Sequence, residues 1–182
     1  IASTATHNAV FGEDNSASGN VLEGHHNIVS GKSNHSNTGH YCSILGILNH
    51  SNTGSYSSIS GSTNHSNTGS YSSISGYYNH SNSGVYCSIS GIYSTSNSGN
   101  YCLISGSTNQ SNSGDGCSIS GASNQSNTGD YCLIAGRFNS SNTGDYSVIT
   151  GYYSKNSYYG TQVHSAGRFS TNGDAQTMIT VA

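Results

Sequence analysis

Glycine returns every fifteen residues along most of this chain. One set runs Gly46, Gly61, Gly76, Gly91, Gly106, Gly121, Gly136 and Gly151. A second runs Gly39, Gly54, Gly69, Gly84, Gly99, Gly114, Gly129 and Gly144. Between them stands one aliphatic residue per repeat: Ile44, Ile59, Ile74, Ile89, Ile104, Ile119, Ile134 and Ile149, with Val29 one period earlier. The consensus reads S-N-(T/S)-G-x-Y-(C/S)-x-I-x-G-x-x-N-x. A fixed period of this length marks a stack of small structural units, none of which can bury its apolar face alone.

Within each repeat the side chains alternate. In the stretch YSSIS, Ile59 and Ser57 point to one face, Tyr56 and Ser58 to the other. Each repeat therefore supplies a short strand with one aliphatic residue inward, then a glycine where the chain bends. The glycine after S-N-T supplies a second bend or a close backbone approach. Two short strands and two corners per coil, stacked at about 4.8 Å, make an all-β parallel β-solenoid, or β-roll, of fifteen-residue repeats. One coil buries about one Ile and one small residue, too little to offset the ordering entropy of fifteen residues. Backbone bonds between coils, ladders of identical side chains and association of several chains are the sources of the missing stability.

Composition agrees with this narrow, repeated core. Leu, Ile, Val and Phe make up about 15% of the 182 residues, a level that in a patternless, highly charged chain would mean disorder. Here only 6% of residues are charged and the pattern is strict. Four Lys+Arg and a net charge of −3 argue against a nucleic-acid partner or an anionic membrane surface. No apolar run reaches the roughly 20 residues of a membrane span, so no membrane insertion is expected. The chain starts at Ile1 without a signal-like segment, as a processed product or a fragment would. Three regions follow: residues 1–31 as an irregular N-terminal cap or adaptor, with AVFG as a degenerate rung; 32–154 as the repeat solenoid; and 155–182 as a C-terminal capping or transition segment.

Several columns carry side chains with chemistry. Cys42, Cys87, Cys102, Cys117 and Cys132 share one position with Ser57, Ser72 and Ser147. They read as small apolar filler or as bridges between adjacent rungs, Cys87–Cys102 and Cys117–Cys132. His35, His50, His65 and His80 form an imidazole column, either a solvated polar ladder or a pH-sensitive or metal-binding stripe. Tyr41, Tyr56, Tyr71, Tyr86, Tyr101, Tyr131 and Tyr146 form a third column, broken at Gly116, fit for stacking or for a sugar-binding strip. The variable pair after each glycine places Tyr77, Tyr78, Tyr93, Phe138, Tyr152 and Tyr153 outward, as candidate surface contacts. N-x-S sequons at Asn34, Asn49, Asn64, Asn79, Asn109, Asn124 and Asn139 are either glycosylation acceptors or repeat vocabulary. The seven acidic residues form no close carboxylate pair in this reading. With no singular constellation to hold a nucleophile and its base, no enzyme activity, metal or cofactor is expected.

The segments SGNYCLISG and TGDYSVITG, separated by N-x-S-N-(T/S) spacers, resemble the G-x-Y-S-x-x-x-G repeat of YadA-like trimeric adhesin heads. Similar repeats occur in trimeric fibre proteins of phages and large viruses. The resemblance covers about residues 27–154, and SAGRFSTNGDAQ at 165–176 also resembles a segment near the end of such shafts. It implies a homotrimer of left-handed parallel β-rolls at a cell or virion surface, with an adhesive or shaft role. The partners implied are the chain itself and a host-surface glycan or protein. An ice-binding solenoid and a glycan-binding module are the alternatives. The mixed SNTG and SNSG face, without a T-x-T array, speaks against the former.

Overall fold

A computed structural model describes residues 7–13 and 25–180. The described residues are all β, with no helix, and fall into two compact units, residues 1–93 and 94–182. The first unit contains β1 (Ala9–Glu13), β2 (Ile28–Lys32), β3 (His35–Asn37), β4 (Ser43–Ile47), β5 (His50–Asn52), β6 (Ser58–Ser62), β7 (His65–Asn67), β8 (Ser73–Tyr77), β9 (His80–Asn82) and β10 (Ser88–Ile92). The five-residue strands β1, β2, β4, β6, β8 and β10 form one parallel sheet. The three-residue strands β3, β5, β7 and β9 form a second.

The second unit contains β11 (Thr95–Asn97), β12 (Leu103–Ser107), β13 (Gln110–Asn112), β14 (Ser118–Ala122), β15 (Gln125–Asn127), β16 (Leu133–Arg137), β17 (Ser140–Asn142), β18 (Val148–Tyr152), β19 (Thr161–Ser165) and β20 (Gln176–Thr180). Its long strands again stack in parallel from β12 to β19, and its short strands from β11 to β17. In both units each coil is one long and one short strand. Register is set by the repeat: Ile44 faces Ile59, Ile59 faces Ile74, and Ile119 faces Ile134. This is a parallel β-solenoid.

The ends depart from the period in different ways. In AVFG, Val10 lies opposite Val29 and packs on the Val29–Ile44 cluster, so this stretch is a rung. The regular stack thus includes β2, on the N-terminal side of the expected boundary at residue 32. The remaining parts of the N-terminal segment, 1–6 and 14–24, lie outside the described residues. At the other end β19 continues the parallel stack, with Val163 opposite Ile149, and β20 then returns antiparallel along it.

The core is thin, as one aliphatic residue per coil requires. Val29, Ile44, Ile59, Ile74 and Ile89 are fully buried in the first unit; Ile104, Ile119, Ile134, Ile149 and Val163 are buried in the second. Two residues earlier, on the same face, run Cys42, Ser57, Ser72 and Cys87, then Cys102, Cys117, Cys132 and Ser147. Most of the other buried side chains are asparagines. Asn64 donates through Nδ2 to the carbonyls of Ser60 (2.6 Å) and, in the next coil, Gly76 (2.9 Å). Its Oδ1 accepts from the backbone N–H of Asn79 at 3.0 Å. Asn49 makes the same set of bonds one coil earlier. A second column, Asn97, Asn112, Asn127 and Asn142, is linked by Nδ2-to-Oδ1 bonds of 2.6–2.7 Å. These amides satisfy each other and the backbone where no water reaches, which is what makes a polar core tolerable.

The glycine after each Ile does not sit at a corner, as the sequence suggests, but inside the long strand. Gly61, at φ +101°, lies in β6, and a Cβ there would stand 2.2 Å from the Gly76 carbonyl oxygen. The corners are made instead by residues that rarely turn left-handed. Leu48, Thr63, Tyr78 and Tyr93 all have φ between 55° and 56°, and Tyr41, Tyr56, Tyr71 and Tyr86 are left-handed too; Ser51, Ser66 and Ser81 are left-handed within the short strands. Each costs about 1–2 kcal/mol. Bonds from the preceding coil hold them there: Tyr56 N–H donates to His40 O at 2.8 Å and Thr63 N–H to Ile47 O at 2.9 Å.

Candidate functional site

Each left-handed corner throws its side chain outward in register, which turns the repeat into aromatic ladders. Tyr41, Tyr56, Tyr71 and Tyr86 stack with ring centroids 4.9 Å apart and planes within 13° of parallel, each 51–52% exposed. His26 and His7 extend the column at 4.7 Å spacings. In the second unit Tyr131 and Tyr146 continue the motif at 5.1 Å. The expected break at Gly116 is real: this residue keeps the left-handed turn at φ +66°, and the Tyr131 ring leans over it.

The six variable aromatics gather into two clusters. Tyr77, Tyr78 and Tyr93 are exposed and make edge-on and stacked contacts of 4.8–5.9 Å. Phe138 stacks on Tyr153 at 5.2 Å, with Tyr152 edge-on to both. Tyr152 is exposed, whereas Phe138 and Tyr153 are half-buried, because guanidinium groups lie over them. Arg137 stands 4.8 Å from the Phe138 centroid and Arg168 4.0 Å from that of Tyr153. Neither arginine was singled out by the repeat pattern, since Arg168 comes from the aperiodic C-terminal segment.

His35, His50, His65 and His80 also stack, at centroid spacings of 4.7–4.9 Å. Burial, and then the neighbouring His35, lowers the pKa of His50; burial, then His80 and His50, lowers that of His65. Gln110 and Gln125 occupy the corresponding position in the second unit. Among the described residues no group of three or more His, Cys, Asp or Glu converges as metal ligands do.

The five cysteines are buried, and Cys42, Cys117 and Cys132 are thiols. Cys42 Sγ donates to the carbonyls of His40 (3.1 Å) and Gly54 (2.9 Å), filling the place Ser57 takes one coil later. Burial raises the Cys42 pKa, and thiol hydrogen bonds with Cys102 and Cys132, then burial, raise that of Cys117. The sequon asparagines Asn34, Asn49, Asn64, Asn79, Asn109, Asn124 and Asn139 are the inward amides of the first ladder, all at most 1% exposed. A glycan on their Nδ2 would have to replace bonds that tie coil to coil. Three of the acidic residues stand in register along one corner. Asp115 N–H donates to Asp130 Oδ1 (2.8 Å) and Asp130 N–H to Asp145 Oδ1 (2.9 Å), a carboxylate column along one corner.

Hydroxyls flank the short-strand sheet. Ser66, Ser81, Thr68 and Ser83 line one shallow groove with Asn82, and Ser96, Ser111, Ser98 and Ser113 line an equivalent one in the second unit. Among the described residues no helix is long and apolar enough to cross a membrane. Comparison with known proteins finds no similar family model, curated protein or solved structure.

Proposed function

We propose that this chain is a structural segment of an extracellular, cell-surface or virion-surface fibre or adhesin, acting by multivalent display rather than catalysis. The observation that carries the reading is the exposed tyrosine ladder from Tyr41 to Tyr86. The same contact chemistry recurs at 4.9 Å in every coil, so each contact is weak and the sum is large. Homotrimerisation fits the thin core. Ile28, Leu45, Leu103 and Leu133 project outward from the long-strand sheets and stay exposed, and a second and third copy would give them apolar cover.

The test is attachment. Full-length protein and a variant with Tyr56, Tyr71 and Tyr86 replaced by Ser are compared for retention on candidate host surfaces. Retention should fall several-fold with the thermal midpoint little changed. Equal retention by both proteins, or measurable turnover of a glycan or peptide by the wild type, would overturn the reading. Thermal hysteresis in solution would favour the ice-binding alternative instead.

A further inference from the structure

The second unit carries a cleft of about 310 Å³ that the repeat alone does not explain. Phe138 and Tyr153 form its aromatic wall, Ser123, Gln125 and Ser140 its polar floor, and Arg168 and Asn172 its rim. Ser123 stands one coil before Phe138 in the same left-handed column. A small residue there leaves room beside the ring. The volume is at the lower end of the range of small-ligand sites, enough for one or two pyranose rings.

The rim is held in place. Asn172 Nδ2 donates to Ser140 Oγ at 2.7 Å and to Phe138 O at 3.3 Å, while its Oδ1 accepts from Arg168 Nη1 at 3.1 Å. With its plane also set by the Tyr153 ring, the Arg168 guanidinium is fixed before any ligand arrives. The charge around the cleft is unlike that of the chain. Of its four Lys and Arg residues, three (Arg137, Lys155 and Arg168) fall in residues 137–168, and Lys155 lines the adjoining cleft that shares Asn172. Asp145 is the one acid within those residues, and Asp174, just beyond them, has its carboxylate engaged by the N–H groups of Phe169, Ser170 and Thr171.

We propose that this cleft binds a carboxylate-bearing saccharide. The sugar would pack against the edge of the Phe138 ring and the carboxylate would take the Arg168 fork, a planar match that lysine could not reproduce. Ring hydroxyls would exchange bonds with Gln125, Ser123 and Ser140. The proposal rests on the surface-contact reading above, in that it names one ligand class for a surface of the second unit.

The probe is methyl glucuronide, titrated into the full chain by calorimetry or saturation-transfer NMR, beside its neutral methyl ester. The acid should bind, the ester at least about tenfold more weakly, and Arg168→Gln should abolish the difference. Phe138→Ser should weaken both, and Arg168→Lys, which keeps the charge and loses the fork, should also shrink the preference for the acid should Arg168→Gln disturb the fold. Equal binding of acid and ester, equal competition by inorganic phosphate, or no binding by folded wild type would each overturn the proposal. The two readings fail separately. Lost glucuronide binding with surface retention intact removes the cleft alone, whereas lost retention in the tyrosine variant with glucuronide binding intact removes the ladder alone.

Discussion

At Gly54 a methyl group would meet the Gly69 carbonyl oxygen at 2.2 Å, although its φ is one that any residue can adopt. Space alone reserves this position for glycine, because both partners are backbone and neither can swing aside. Gly54→Ala is expected to cost about 3 kcal/mol, the upper range for overpacking. Gly167→Ala, with nothing within 4 Å, should be neutral. Urea midpoints of the two variants check this. The buried asparagines make a complementary case. Asn64→Leu keeps the branched shape but strands the Ser60 and Gly76 carbonyls and the Asn79 N–H, at about 1–3 kcal/mol for each group left unpaired. A loss of under 1 kcal/mol by denaturation would mean that the ladder contributes little. The strict recurrence of these asparagines was visible in the sequence. Their burial was not, because N-x-S and S-N-T read as surface vocabulary, and what buries them is a neighbour fifteen residues away.

Among the elements, the inward and outward faces of the long strands were legible from period two: Ser57 and Ile59 are buried, Tyr56 is exposed. The corners were not. Nothing in the local preferences of Tyr, Thr or Leu points to a left-handed backbone, and the hydrogen bonds to the preceding coil impose it. The histidine column has a consequence for pH. Packed at 4.7–4.9 Å, with Tyr78 against His80, neighbouring imidazoles resist taking up protons together. The folded pKa values of His50 and His65 lie below the unfolded one, so between the two the unfolded chain holds more protons. Stability is therefore fully present above about pH 6.5 and declines as pH falls through the unfolded value toward the lowered folded ones. A His50→Gln/His65→Gln variant, copying Gln110 and Gln125, should show a flatter thermal midpoint between pH 7 and 5. Parallel curves for variant and wild type would show that the stack does not set the acid response.

For the whole molecule, the proposed assembly has a direct measure. Light scattering of the intact chain should return three times its 18.8 kDa mass. A well-folded monomer would remove the trimer and leave the solenoid standing. The arginine cleft was the least legible feature. Phe138 and Tyr153 stand in the repeat, but Arg168 and Asn172 come from a segment with no period to place them. The in-register pairing of residue with residue fifteen positions on carries one more implication. Excising residues 61–75 would rejoin Ser60 to Gly76 and leave every remaining column intact. Deleting a single residue would instead turn the following strand over and expose its Ile. Heritable change in such a chain comes most safely in whole coils, by exchange between near-identical stretches of its coding sequence. Its length is then a number that can be counted up or down.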